Sequence, residues 1–162
     1  MKESSNPKSN LVLIGLGSNL NPEENILKAY GLIADHLSII GQSPIYQTPA
    51  VGSDGPDYLN SAILAETEHD FDQLRKVILA GIEDELGRVR SEDKYLDRTI
   101  DIDILIYNNS AVDPELWTQA HVAVPASHIM PDFENPETGE KISQAASRLL
   151  PGTNIQIRSD LP

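Results

Sequence analysis

Two aspartates one residue apart, Asp101 and Asp103, lie in the run Arg98-Thr99-Ile100-Asp101-Ile102-Asp103-Ile104-Leu105-Ile106-Tyr107. Aliphatic residues alternate there with polar ones. The spacing predicts a strand with Ile100, Ile102, Ile104 and Ile106 on one face and both carboxylates on the other. At a rise of about 3.3 Å per residue the two acids stand about 6–7 Å apart at Cα. Neighbouring carboxylates repel, and burying them unpaired is costly. A divalent cation resolves both problems, since Mg²⁺ takes oxygen ligands, commonly one or two carboxylates with substrate phosphates. The other reading of such a pair is a solvated sheet face. The segment before it shifts the balance: Gly87 to Arg98 holds Arg88, Arg90, Lys94 and Arg98 without a clear period, a basic loop in a chain of net charge -13. Arginine forks suit phosphate oxygens, and a metal neutralises charge on a transferring phosphate. Together these residue types point to handling of a triphosphate with magnesium.

The elements that must position these groups are readable in order. Leu11 to Gly17 is a short apolar run, consistent with a buried strand. Gly15 to Leu20 lacks the third glycine of a dinucleotide fingerprint and the Gly-Lys-Ser/Thr of a P-loop, and reads as a tight strand-to-helix turn. Asn21 caps a helix with Pro22 at its first position, and Ile26, Leu27, Tyr30, Ile33, Ala34 and Leu37 form its buried stripe. A second strand is expected between Leu37 and Thr48. A long Pro- and Gly-rich loop follows, from Thr48 to Asp57, and then a strand from Tyr58 to Thr67. On that strand Tyr58 and Asn60 share a face and could pair a stacking ring with an amide that reads a heterocycle edge; plain packing is the alternative. Asp70 and Gln73 open a second helix with Leu74, Val77, Ile78, Ile82 and Leu86 on its buried face and Gly87 beyond its end. Glu83 lies at the edge of that face, either paired with Arg88 or Arg90 or turned to a ligand. Strand, helix, strand, strand, helix, strand is the βαββαβ order of a ferredoxin-like α+β sandwich, a mainly antiparallel sheet with helices packed on its faces.

Composition narrows the function further. At 162 residues one domain is expected, residues 11–162, with the polar residues 1–10 read as a disordered tail. The 40% hydrophobic and 23% charged content suits an ordinary soluble globule. The absence of cysteine removes disulfide and thiolate chemistry and fits a reducing cytoplasm. No membrane-spanning or signal segment is expected. The acidic balance argues against nucleic-acid binding, so an anionic ligand needs a local basic site.

These residues resemble the 6-hydroxymethyl-7,8-dihydropterin pyrophosphokinase family. The matching pieces are Gly17-Ser18-Asn19-Leu20, Tyr46-Gln47-Thr48-Pro49, Asp57-Tyr58-Leu59-Asn60, Glu83 with Gly87-Arg88-Val89-Arg90, and Arg98-Thr99-Ile100-Asp101-Ile102-Asp103, in the family's order. The resemblance implies transfer of pyrophosphate from ATP to a pterin alcohol, with release of AMP, by a monomeric cytoplasmic enzyme of folate biosynthesis. It implies that Asp101 and Asp103 hold two Mg²⁺ ions and act in catalysis with Arg88 and Arg98 of a flexible loop. Thr48, Pro49, Val51, Tyr58 and Asn60 would line the pterin pocket, and Tyr95 falls where the family commonly has a closing Trp. Glu83, Arg88, Arg90, Arg98, Ile104 and His121 would lie on the ATP side, His121 near a family Arg position.

The pattern departs after Tyr107. Val124-Pro125 is followed by Ala126 where a histidine is usual, no Arg follows, and the apolar strand that normally comes next is missing, which shortens the C-terminal portion. The missing part normally brings ATP contacts and the second aromatic around the pterin, for which Phe133 or His128 are the substitutes at hand. Ile142 to Leu150 reads as a short closing helix ended by Pro151-Gly152. Two other readings stay open: a diverged relative that uses ATP and magnesium on another small alcohol, and a non-catalytic binding protein.

Overall fold

The strand around the aspartates forms as β5 (Asp101–Tyr107) in the computed structural model, which describes residues 9–50, 55–88 and 99–162. It pairs with β1 (Asn10–Ser18), which pairs on its other side with β4 (Tyr58–Thr67). β2 (Ser38–Gln42) and β3 (Tyr46–Thr48) share the far edge of β4, β2 against Ile63 to Glu66 and β3 against Tyr58 to Asn60. Two short strands, β6 (Ser110–Ala111) and β7 (Gln156–Ile157), flank β5 and β3 at the sheet's two ends. All these pairings are antiparallel, and the strand order is that of the ferredoxin-like sandwich expected from the sequence.

Two local readings change. β1 begins at Asn10, inside the segment read as tail, and runs through both Gly15 and Gly17 to Ser18, so these glycines lie in a strand and not in a turn. The single strand expected from Leu37 to Thr48 is two, because Pro44 has no N–H for the ladder. Ser43 bridges the break: its backbone N–H donates to the Ala62 carbonyl and its Oγ accepts the Ala62 N–H, each at 2.9 Å.

Helix α1 (Pro22–His36) starts at Asn21, whose φ of 43° is left-handed; its carbonyl accepts the Asn25 N–H at 3.0 Å, and its side chain makes no capping bond. Ile26, Ala29 and Ile33 are its buried stripe, while Leu27 and Ala34 face outward. The second helical segment runs as α2 (Phe71–Gln73), a π-helical turn Leu74–Leu79, and α3 (Ala80–Glu85). Asp70 caps it by accepting the Gln73 N–H at 2.8 Å. The π turn makes i→i+5 bonds, so the buried face steps from Leu74 to Leu79 and on to Ile82. Val77, placed inside by a 3.6-residue period, is 60% exposed as a result.

These helices cover one face of the sheet, over Val12, Ile14, Leu16, Ile63, Ile102 and Ile104. The other face carries α4 (Ala120–Ile129) and α5 (Ile142–Leu149) over Leu13, Ala62, Leu105 and Ile106. Val124-Pro125 sits inside α4, among the described residues no strand lies between α4 and α5, in line with the missing apolar strand, and α5 is the closing helix. A bulge separates the two cores along β5. Leu13 pairs with Ile106 and Ile14 with Ile104, so Leu105 is the extra residue. Ile106 therefore joins the α4–α5 core with Leu105, against the alternation that placed it beside Ile104. Among the described residues no helix is long and apolar enough to cross a membrane.

Candidate active site

Asp101 and Asp103 face away from α1 and α3 because Ile100, Ile102 and Ile104 fill the core on that side. On the aspartate face β1 offers glycines. A Cβ at Gly17 would stand 2.9 Å from Asn60 Oδ1, and one at Gly15 would stand 3.2 Å from Leu105 Cδ1. The sheet register sets Asn60, Gly17 and Asp101 in one row across β4, β1 and β5, and Ala62, Gly15 and Asp103 in the next. Asn60 and Asp101 are thus two strand spacings apart, about 9–10 Å, with only a glycine between them in the row; the Asn60 amide oxygen and the edge of the Tyr58 ring lean over it.

This glycine strip is the floor of a cleft of about 500 Å³, within the size range of small-molecule sites. Thr48, Pro49, Tyr58, Asn60 and Ser61 line one wall. The opposite wall comes from the 3₁₀ turn Pro114–Trp117 and α4, which bring Asp113, Glu115, Gln119, His121 and Val122. Arg88 closes the aspartate end. Its Nη1 donates to Asp101 Oδ1 at 3.0 Å and to Glu83 Oε2 at 2.7 Å. The same Glu83 oxygen accepts the backbone N–H of Ile102, between the two aspartates, at 2.8 Å. Glu83 is buried behind the cleft and does not line it. Ile104 lies in the helix-side core, also off the cleft. At the other end the buried Asn60 and Thr48 are joined, Asn60 Nδ2 donating to Thr48 Oγ1 at 2.7 Å.

The field in the cleft is strongly negative. Asp103 opens to the cleft, but protein crowds it on its other sides. Desolvation there, then Asp101, Asp113, Glu83 and Glu115, push its carboxyl up to about 8. Desolvation also lowers the His121 imidazole below its usual range, against the pull of Asp101 and Asp113. Two carboxylates in this setting, one pushed toward its protonated form by its neighbours, are a donor set that suits a hard divalent cation. Among the described residues no three His, Asp or Glu side chains gather to hold a metal unaided.

The structure brings Thr48, Pro49, Tyr58, Asn60, Arg88, Asp101, Asp103 and His121 into this one cleft. Val51, Arg90, Tyr95 and Arg98 lie outside the described residues. Phe133 and His128 do not reach the cleft. Phe133 stacks on Trp117 with ring centroids 6.5 Å apart, and His128 is exposed elsewhere. Sequence reasoning missed Gly15, Gly17, Asp113, Glu115 and Gln119. The glycines had a signal: two of them at period two on a strand mark a place where something approaches the backbone closely.

The chain matches the model of the 7,8-dihydro-6-hydroxymethylpterin-pyrophosphokinase family over residues 13–131. It is 34% identical to a 2-amino-4-hydroxy-6-hydroxymethyldihydropteridine pyrophosphokinase of Haemophilus influenzae, over 77% of this chain and 84% of that one. It is 33% identical to the protein of the same name from Methylorubrum extorquens, over 85% of this chain and 92% of that one. Among solved structures it resembles a wild-type Plasmodium falciparum HPPK-DHPS with pterin and p-hydroxybenzoate, at a TM-score of 0.71 and 13% identity. That match covers 90% of this chain but 44% of the larger one, and it speaks for the fold.

Proposed function

Because the chain belongs to the 7,8-dihydro-6-hydroxymethylpterin-pyrophosphokinase family, we propose that its cleft transfers pyrophosphate from ATP to 6-hydroxymethyl-7,8-dihydropterin, releasing AMP, in folate synthesis. The observation that carries this is the row Asn60, Gly17, Asp101. A heterocycle held at Asn60 and Thr48, with the Tyr58 ring beside it, can lay its hydroxymethyl arm over Gly17 toward the carboxylate end. Phosphates held at that end by Arg88 then meet the alcohol beside the glycine of that row.

The chemistry asks for little covalent help from the protein. The hydroxymethyl oxygen attacks the β-phosphorus and gives its proton to water, the bond from that phosphorus to the α,β-bridging oxygen breaks, and AMP leaves with the bridging oxygen. Positioning and charge neutralisation supply most of the acceleration in such a transfer. Arg88 is suited to the phosphate end because Glu83 and Asp101 hold its guanidinium in place before any ligand arrives. Asp101 and Asp103 would hold Mg²⁺, which supplies neutralisation of the triphosphate charge when bound. Arg98, Arg90, Tyr95 and Val51 complete this reading from outside the described residues, and His121 stands on the wall that would face the ligands. A monomer is the proposed working unit.

The test is formation of AMP from ATP, Mg²⁺ and the pterin alcohol. Asp101→Asn and Asp103→Asn should each cut kcat by about a hundredfold or more, as loss of groups that act through transition-state charge does. Absence of AMP with the wild-type protein would overturn this reading, and an ATP analogue that binds where the pterin alcohol does not would point to a different alcohol as acceptor.

A further inference from the structure

The last residues of the chain make a network that the reaction itself does not use. β7 lies along the free edge of β3, pairing Ile157 with Tyr46 and Gln156 with Gln47. The next residue, Arg158, donates its backbone N–H to the Ile45 carbonyl at 2.8 Å. Its side chain is only 25% exposed and meets three partners from separate parts of the chain. Nε and Nη2 fork onto Asp160 at 2.9 and 2.8 Å. Nη1 donates to Glu23, in the first turn of α1, at 3.2 Å and to Gln47 Oε1 at 3.3 Å. Leu161 then packs onto the helix-side core. The segment is thus held on both sides of the arginine.

Gln47 is the link from this network to the cleft. A glutamine amide has one acceptor oxygen and one donor nitrogen at opposite corners. With Oε1 taken by Arg158, Nε2 turns the other way and donates to Asp57 Oδ2 at 2.9 Å. Asp57 immediately precedes Tyr58, and Gln47 immediately precedes Thr48. Thr48 and Tyr58 are directly paired at the end of the β3–β4 ladder. Successive residues of a strand point to opposite faces, so Gln47 and Asp57 clamp from behind the pair that lines the cleft in front. β3 is three residues long, so few ladder bonds resist a shift there.

We propose that Arg158 is a positioning residue for the acceptor half of the cleft, holding Thr48 and Tyr58 in place through Gln47 and Asp57. This rests on the assignment of Thr48, Tyr58 and Asn60 to the acceptor. A single exposed ion pair contributes little. Here one guanidinium joins α1, β3 and the chain's end, and its effect is directional, because it decides which way the Gln47 amide points.

Arg158→Ala, Gln47→Ala and their double variant test it, with Arg148→Ala as a control whose guanidinium binds Glu140 at 2.8 Å and the Trp117 carbonyl at 2.9 Å, on the side of the opposite cleft wall. Arg158→Ala should raise KM for the pterin alcohol about fivefold, the effect of about one net hydrogen bond, and leave kcat and the KM for ATP within about twofold. Gln47→Ala should do the same, and the double variant no more than either alone, because both act along one path. Amide hydrogen exchange at residues 46–48 and 57–60 should quicken in both single variants and stay unchanged in Arg148→Ala. An unchanged acceptor KM with unchanged exchange overturns the proposal, as does an equal rise in both substrates' KM or an additive double variant. Gln47→Ala carries the same test if Arg158→Ala does not fold. Exchange reads the positioning without turnover, so a wild-type protein that forms no AMP would overturn the reaction while the exchange result still decides this point.

Discussion

Asp103 makes stability depend on pH in the direction opposite to most carboxylates. Its unperturbed value is 3.8, and in the folded chain desolvation and its acidic neighbours lift it to about 8. The folded state therefore keeps a proton that the unfolded state has already released. The stability tied to this proton is fully present below pH 4 and is lost as pH rises toward 8. Asp103→Asn removes the ionisation, so the ligand-free variant should be more stable than the wild type at pH 8, and the difference should vanish near pH 4. The gain should be on the order of 1 kcal/mol, because water in the cleft screens the repulsion. Urea denaturation from pH 4 to pH 9 measures it. A wild type whose stability rises through this window relative to the variant would show that the carboxylate is not pushed up. Millimolar Mg²⁺ should stabilise the wild type at pH 8 and act weakly on the variant, since binding only the folded state raises stability.

Between elements, the most consequential tie is Glu83, which anchors the end of α3 to β5. One buried oxygen accepts both the Ile102 N–H at 2.8 Å and Arg88 Nη1 at 2.7 Å. Glu83→Ala removes the acceptor for both donors, and a donor left buried without its partner costs about 1–3 kcal/mol. The variant should unfold at lower urea by that amount and lose about tenfold in kcat as Arg88 slackens. Glu83→Gln keeps one acceptor oxygen and should fall between. If Glu83→Ala moves neither urea midpoint nor kcat, the anchor is idle. How far this tie can be read in a sequence depends on the element. β1 shows as an apolar run and β4 and β5 by their period of two, and Asp101 and Asp103 stand on the side that the flanking isoleucines predict. Pro44 carries its own strand break. The π turn at Leu74–Leu79 has no local signal; the packing of Leu79 and Ile82 on the sheet selects it. The bulge at Leu105 is equally silent, because Ile104, Leu105 and Ile106 are all aliphatic and either phase of alternation looks sound. The wall from Asp113 to Val122 is half readable. Asp113 caps and Pro114 opens a helical turn, Asp113 accepting the Glu115 N–H at 2.9 Å. Where that turn docks is decided by α4 folding back over β4 and β1 and by α5 packing on α4 and on the turn, which no short stretch of sequence encodes.

At the scale of the whole molecule the charge works against the ligand. A net charge of -13 repels a triphosphate at long range, while Arg88 attracts it only once it is in the cleft. These two influences differ in reach, so salt separates them. The screening length is about 30 Å at 0.01 M salt and about 10 Å at 0.1 M. Added salt should therefore cancel the distant repulsion first and leave the contacts inside the cleft, which are much shorter than the screening length, largely intact. The association rate constant of an ATP analogue should rise several-fold as salt goes from about 0.01 to 0.1 M, the reverse of attractive steering. Its dissociation rate should change much less. An uncharged pterin feels no such field, and its association rate should stay flat over the same range, which makes it the internal reference. Stopped-flow binding of both ligands measures the difference. An ATP association rate that falls with salt would mean that the arginines govern the encounter from outside the cleft. The excess of acid would then be arranged on surfaces the nucleotide never approaches, and the local basic site would steer as well as hold.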